Sequence, residues 1–143
     1  ASGKTVVVTG ASTGIGKATA LHLDQLGFQV FAGVRRETDA EALAVSASSR
    51  LRSVFLDVTD SESITAVVKE VGGESGGELF GLINNAGLGG TANIVDMTDE
   101  QWNAVLEITL TGTLPGRKPS RRTVRLIDSR REPTSWSIRS AGT

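Results

Sequence analysis

Gly10, Gly14 and Gly16 fall in the run Thr9-Gly-Ala-Ser-Thr-Gly-Ile-Gly16, directly after the apolar segment Thr5-Val-Val-Val-Thr9. A strand that ends in a glycine turn and passes straight into a helix leaves free N–H groups at the positive end of the helix dipole. That combination attracts a phosphate or pyrophosphate. Glycine suits the turn because a side chain would block the anion or force a strained φ. The spacing is G-x-x-x-G-x-G, not the G-x-G-x-x-G of the common dinucleotide fingerprint. Alone, such a turn is also compatible with an ordinary strand–helix junction, so the rest of the chain has to decide.

The elements that must position this turn alternate short apolar strands with helical stretches, the pattern of βαβ units. The first strand is Thr5–Thr9. A helix from about Gly14 to Leu26 follows, with Ile15, Ala18, Leu21, Leu23 and Leu26 as its apolar residues and Gly27 as its stop. The second strand is Gln29–Gly33, followed by an Ala-rich helix over Asp39–Ala47 that includes Leu43. The third strand is Arg52–Leu56. Thr59 and Glu62 have capping-box spacing, and Ile64, Val67, Val68 and Val71 predict an apolar stripe on a helix that Gly72-Gly73 ends. Leu79–Asn84 reads as a fourth strand. A fourth helix begins near Thr98, with Gln101 three residues on, and carries Trp102, Val105, Leu106 and Ile108. The strands are largely continuous apolar runs, so helices should cover both faces of the sheet.

Alternation of this kind implies parallel strands joined by right-handed crossovers, with the ligand beyond the carboxyl ends of the strands. Four features fall at such ends: the glycine turn, Arg35-Arg36, Asp57-Val58, and Asn84-Asn-Ala-Gly87. All four should line one crevice, and that convergence argues for function better than any one motif.

In these residues the sequence resembles the short-chain dehydrogenase/reductase family, whose motifs Thr9-Gly-Ala-Ser-Thr-Gly-Ile-Gly16, Asp57-Val58 and Asn84-Asn-Ala-Gly87 match in family order over about residues 4–114. The resemblance implies an α/β, doubly wound, Rossmann-like parallel sheet, here truncated after about four strands and followed by a basic C-terminal tail. It also implies a nicotinamide dinucleotide cofactor and hydride transfer on an alcohol/carbonyl pair. Gly10, Ser12, Gly14, Ile15 and Gly16 would contact its pyrophosphate and ribose, and Asp57 and Val58 its adenine. Asn84, Ala86 and Gly87 would line the cofactor's ribose and support the sheet. In the family's strand order the third strand lies at an edge, then the second, first and fourth. A fifth strand would pair with the free side of Leu79–Asn84, and no matching segment follows Leu114. Self-association through that open edge is therefore expected.

An NAD site usually carries an acidic residue near the end of the second strand, to bond the ribose 2′-hydroxyl. Here the stretch is Gly33-Val-Arg-Arg36, with Val34 where the family would place the acid. A guanidinium at Arg35 suits a 2′-phosphate, so NADP is expected in preference to NAD. Two observations stand on the other side: both arginines fit a solvated helix start, and Thr13 is not the basic residue of many NADP-binding members.

The family's chemistry needs a downstream Ser and a Tyr-x-x-x-Lys, in which the Tyr exchanges the proton and the Lys lowers its pKa. This chain holds no tyrosine, and Thr109 stands at the place of the family's helix-four Asn. No catalytic residue is assigned, and the polypeptide is expected to be inactive alone. The alternatives are a non-catalytic dinucleotide-binding module or a truncated or frameshifted product.

Charge divides the chain as the motifs do. Residues 1–112 hold 7 basic and 14 acidic side chains, and residues 113–143 hold 8 and 2. The expected organisation is an incomplete dinucleotide-binding domain over 1–113 and an Arg/Ser-rich tail over 114–143, disordered or aberrant by its composition. The tail is open to three readings: an out-of-frame end, a solvated segment without a partner, or an anion-binding arm. Nucleic acid is not the expected partner. The chain has no cysteine, and its one histidine, His22, lies on the first helix away from the strand ends, so no metal site is expected. No apolar run reaches membrane-spanning length and Val6-Val-Val8 reads as a strand rather than a signal, so a cytoplasmic protein is expected. The substrate is not legible.

Overall fold

The computed structural model describes residues 3–76, 78–89, 93 and 95–113. The expectations for residues 114–143 lie outside them. The elements are β1 (Thr5–Val8), α1 (Gly14–Gln25), β2 (Gln29–Val34), α2 (Glu37–Ala44), β3 (Leu51–Phe55), α3 (Ser61–Glu74), β4 (Gly81–Ile83) and α4 (Asp99–Thr109), closed by a 3-10 turn at Thr111–Thr113. All strand pairs are parallel, in the order β3-β2-β1-β4. This is the α/β doubly wound arrangement, with the glycine turn at the centre of the sheet.

Alternation along the strands builds two cores. Val6 and Val8 of β1 join Val30, Ala32, Ala20 of α1 and Leu43 of α2 on one face. Val7 joins Phe31, Val54, and Val67 and Val71 of α3 on the other. Both faces of β1 and β2 are therefore covered by helix, as continuous apolar strands require.

Helix α1 departs from its expected stripe. Ile15 and Leu26 are 79% and 54% exposed, and Ala18 is exposed. The buried residues are Gly16, Ala20 and Asp24, one above the other at intervals of four. Small residues therefore make the closest contact with the sheet, while Leu21 and Leu23, half-buried, pack against the same core from its flanks. Asp24, 3% exposed, accepts hydrogen bonds from the Ser48 N–H (2.7 Å) and the Ser48 hydroxyl, and Arg50 Nε lies 3.6 Å from its Oδ1. It pins α1 to the segment entering β3. Sequence periodicity discards such a residue because it is charged.

Three further boundaries differ from expectation. Asp60, not Thr59, caps α3, accepting from the Glu62 N–H at 2.9 Å. Thr59 is turned back onto Asp57 instead. Helix α3 runs through Gly72 and Gly73 to Glu74, and the chain turns at Gly76, with φ +65°. The fourth strand has three residues, although flanking hydrogen bonds from the Phe80 N–H to the Thr5 carbonyl and from the Thr9 N–H to the Ile83 carbonyl extend its attachment to β1. The capping box of α4 forms as expected between Thr98 and Gln101. Yet among the described residues α4 has none that is buried, and Trp102 is 45% exposed.

Candidate functional site

At the carboxyl ends of the four strands lies a crevice of about 480 Å³. Its floor is the turn Gly10–Gly16. The end of β2 supplies Gly33, Val34 and Arg35, the end of β3 supplies Leu56, Asp57 and Val58, and the segment after β4 supplies Asn85 to Leu88. Of the residues singled out from sequence, Gly10, Ser12, Gly14, Ile15, Gly16, Arg35, Asp57, Val58, Ala86 and Gly87 come together here; Asn84 does not line the crevice.

The glycines are required for different reasons. Gly14 has φ +54° with open space where a side chain would be. Gly10 has φ +64°, and a Cβ there would lie 2.8 Å from the Ala86 Cα. At Gly16 a Cβ would collide with the Gly10 carbonyl and the Asn85 amide. The glycine turn and the β4 segment thus touch backbone to backbone, and the open side of the turn faces the crevice. The start of α1 adds N–H groups with no acidic side chain in its first turn, a setting favourable to an anion.

A reciprocal clamp fixes those two segments. The Thr9 hydroxyl accepts from the N–H groups of Asn85 (3.0 Å) and Ala86 (2.9 Å). The Asn85 side chain donates to the carbonyls of Thr9 (3.1 Å) and Gly10 (3.0 Å). Sequence reasoning did not single out Asn85, because nothing in an Asn-Asn pair says which member turns inward. It also passed over Gly33, where a Cβ would lie 2.9 Å from the Leu56 side chain, and Ser63, whose hydroxyl supports Asp57.

The two arginines after β2 separate. Arg36 caps the start of α2 and pairs with Asp39 through two hydrogen bonds of 2.9 and 3.0 Å, which hold its pKa up. It is the solvated helix start that the sequence offered as one reading for both. Arg35 lines the crevice and forms no ion pair among the described residues. Asp57 is held below its ordinary pKa, chiefly by hydrogen bonds from the Thr59 hydroxyl and N–H, with the Arg35 charge assisting. Thr109 accepts from the Leu88 N–H at 3.3 Å, so it anchors the β4 segment to α4. Among the described residues no cluster of His, Asp or Glu could hold a metal ion, and no helix is long and apolar enough to cross a membrane.

A glycine turn entering a helix at the centre of a parallel sheet, with a crevice across the strand ends, defines an α/β fold of the Rossmann-like, nucleotide-binding type. The short chain dehydrogenase family model matches residues 4–121, and the chain belongs to that oxidoreductase family. Curated relatives include mouse retinol dehydrogenase 5, 41% identical over 80% of this chain and 36% of that protein. The 3-oxoacyl-acyl-carrier-protein reductase of Escherichia coli is 37% identical over 76% of this chain and 44% of that protein. Among solved structures, a short chain dehydrogenase from Bacillus anthracis superposes with a TM-score of 0.72 at 28% identity, over 78% of this chain and 47% of that one. The chain spans less than half the length of these relatives. Members of the family use NAD or NADP.

Proposed function

We propose that residues 1–113 form a cofactor-binding unit of an NADP-preferring oxidoreductase acting on an alcohol/carbonyl pair, and that residues 114–143 are a separate basic segment. The observation that carries the reading is the meeting of all four strand ends in one crevice. In this reading Gly10, Ser12, Gly14, Ile15 and Gly16 receive the pyrophosphate and adjoining ribose. Asp57 and Val58 hold the adenine, and Ala86 and Gly87 line the second ribose. The fit is supported by a cradle that a Cβ would fill at Gly10 and Gly16. The names of the mouse and bacterial relatives describe a retinol dehydrogenase and an oxoacyl reductase, both alcohol/carbonyl chemistry.

Arg35 supports NADP over NAD, since it lines the crevice just after β2 and forms no ion pair among the described residues, while Arg36 is taken up by Asp39. A charge-assisted contact to a 2′-phosphate is worth roughly tenfold in affinity or more. Calorimetric titration should give tighter binding of NADPH than of NADH, and Arg35→Asp should abolish the difference. Equal affinities in the parent would return Arg35 to the role of a solvated residue.

A second reading, a dinucleotide-binding module without chemistry, is favoured by composition. The 143 residues contain no tyrosine to exchange the proton, and Thr109 stands in place of Asn. Loss of a positioned acid or base alone typically costs about 10²–10⁴-fold. The purified 143-residue polypeptide should therefore bind NADPH yet show no turnover with a panel of aldehydes and ketones. Turnover above the uncatalysed rate, abolished by Gly14→Asp, would overturn this.

A further inference from the structure

The third strand lies at the edge of the sheet and ends at Phe55. The Leu56 N–H donates to the Val34 carbonyl at 2.9 Å, the last bond from this strand to β2. Ser63, 7% exposed in the first turn of α3, lies beside the end of the strand. Its hydroxyl accepts from the Asp57 N–H at 2.9 Å and donates to the Phe55 carbonyl at 3.3 Å. One side-chain oxygen thus serves two backbone groups on the side of the edge strand that faces away from β2, and a half-buried backbone group left without a partner is costly.

The Asp57 side chain is fixed from the other direction. Its Oδ1 accepts from the Thr59 N–H (2.9 Å) and the Thr59 hydroxyl (2.7 Å), while Oδ2 takes no hydrogen bond from the described residues. Asp57 and Val58 both line the crevice. Gly112 lets the turn after α4 close on Val58, where a Cβ would lie 2.7 Å from the valine side chain. This end of the crevice is therefore built with one ionised acceptor to spare, beside an apolar wall.

Resting on the reading of the crevice as a dinucleotide site, we infer that Ser63 is the positioning residue that makes this wall select an amino-purine over an oxo-purine. Ser63 sets the backbone from which Asp57 projects, and Thr59 sets the side-chain rotamer. The carboxylate oxygen that remains accepts from the exocyclic amine of adenine. Hypoxanthine presents a carbonyl oxygen at the same position, so two acceptors would face each other there. Discrimination then depends on where the Asp57 backbone stands, and that is fixed by a hydroxyl that never touches the ligand.

The test is titration of the 143-residue protein with NADPH and with its hypoxanthine analogue, for the parent, Ser63→Ala, Ser63→Cys and Ser63→Thr. Thermal melts by circular dichroism accompany each variant. The parent should prefer the adenine form by about tenfold, the scale of one hydrogen bond to a charged acceptor. Ser63→Ala and Ser63→Cys should reduce that ratio to about twofold, and Ser63→Thr, which keeps the hydroxyl, should retain it. If Ser63→Ala melts below the assay temperature, the volume-matched cysteine variant decides. A folded alanine or cysteine variant that binds both forms more weakly but at an unchanged ratio would make Ser63 a structural residue only and overturn the inference. A parent that binds both forms equally would overturn it while leaving the dinucleotide reading intact. A parent that binds neither would remove both.

Discussion

The two walls of the crevice are anchored by different physics. On the side of β1 and β2, every residue of β1 and all but Gln29 of β2 are buried. Helices α1 and α2 press on one face and α3 on the other. On the side of β4 the strand has three residues, all half-buried, and α4 buries none of its eleven. The first wall is held by packing. The second is packed only through half-buried residues, Phe80 and Ile83 on one face and Leu79 and Leu82 on the other, and is tied by directed hydrogen bonds in which Thr9 and Asn85 join the glycine turn to the segment after β4. A dinucleotide laid across the strand ends would bridge a rigid half and a tethered half. Changes on the two sides should therefore be felt differently in stability and in binding.

The largest effect is expected where both anchors meet. Gly16 lies on the buried face of α1, against the Gly10 carbonyl and the Asn85 amide. Alanine is intrinsically better than glycine in a helix by about 1 kcal/mol. The Cβ, however, would meet backbone that cannot yield, and overpacking of that kind costs about 1–3 kcal/mol or somewhat more. Gly16→Ala should lower unfolding stability by about 2 kcal/mol net and reduce NADPH affinity at least tenfold, read by urea melts and calorimetry. A stabilised variant would show that α1 can lift from the sheet and that the packed wall is softer than it looks.

Next in size is a change confined to the tethered wall. Thr9 is 5% exposed, and its hydroxyl is the acceptor for two N–H groups. Thr9→Val keeps the shape and removes that acceptor, which costs about 1–3 kcal/mol for donors left unsatisfied. The expected signature is local. Amide hydrogen exchange should quicken at Asn85 and Ala86 while the β1–β2 amides stay protected. Uniform acceleration across the sheet would mean that the two walls open as one unit and that the contrast between them is false.

How much of this was legible beforehand follows from the same contrast. Helix alternation and the meeting of four strand ends are legible in apolar runs and glycine punctuation, because those signals are local and repetitive, whereas the strand order comes from the family resemblance. The members of the site that sequence missed act through long-range polar contacts. Asn85 reaches Thr9 across 76 residues, and Asp24 reaches Ser48 across 24. No periodicity announces such pairs. Ser63 looked like any serine in a helix's first turn, and its task is visible only once Phe55 and Asp57 are placed around it. The expected α1 stripe holds at Leu21 and Leu23 and fails at Ile15, Ala18 and Leu26, because the face nearest the sheet is made of the small Gly16 and Ala20 and the paired Asp24, which apolar periodicity does not mark.

The smallest effect is expected on α4, and it is the one that most sharply tests whether the open side stays open. Trp102 is 45% and Leu106 36% exposed, and neither belongs to the two cores. Substitutions at exposed positions usually stay within about 0.5 kcal/mol. Trp102→Ala and Leu106→Ala should therefore be near neutral in urea melts of dilute protein. Among the described residues no strand pairs with the outer edge of β4, and that edge together with the exposed face of α4 would invite pairing between copies, since an unpaired strand edge is a template for another strand. In that case stability depends on protein concentration by mass action. The melting temperature of the parent should then rise with concentration, alongside a rise in mass by light scattering, and that of the α4 variants should rise less. A parent that stays monomeric at every concentration while Trp102→Ala costs about 2 kcal/mol would refute association. It would show instead that residues of the same chain beyond Thr113 cover the helix, because only an intramolecular contact stabilises independently of concentration.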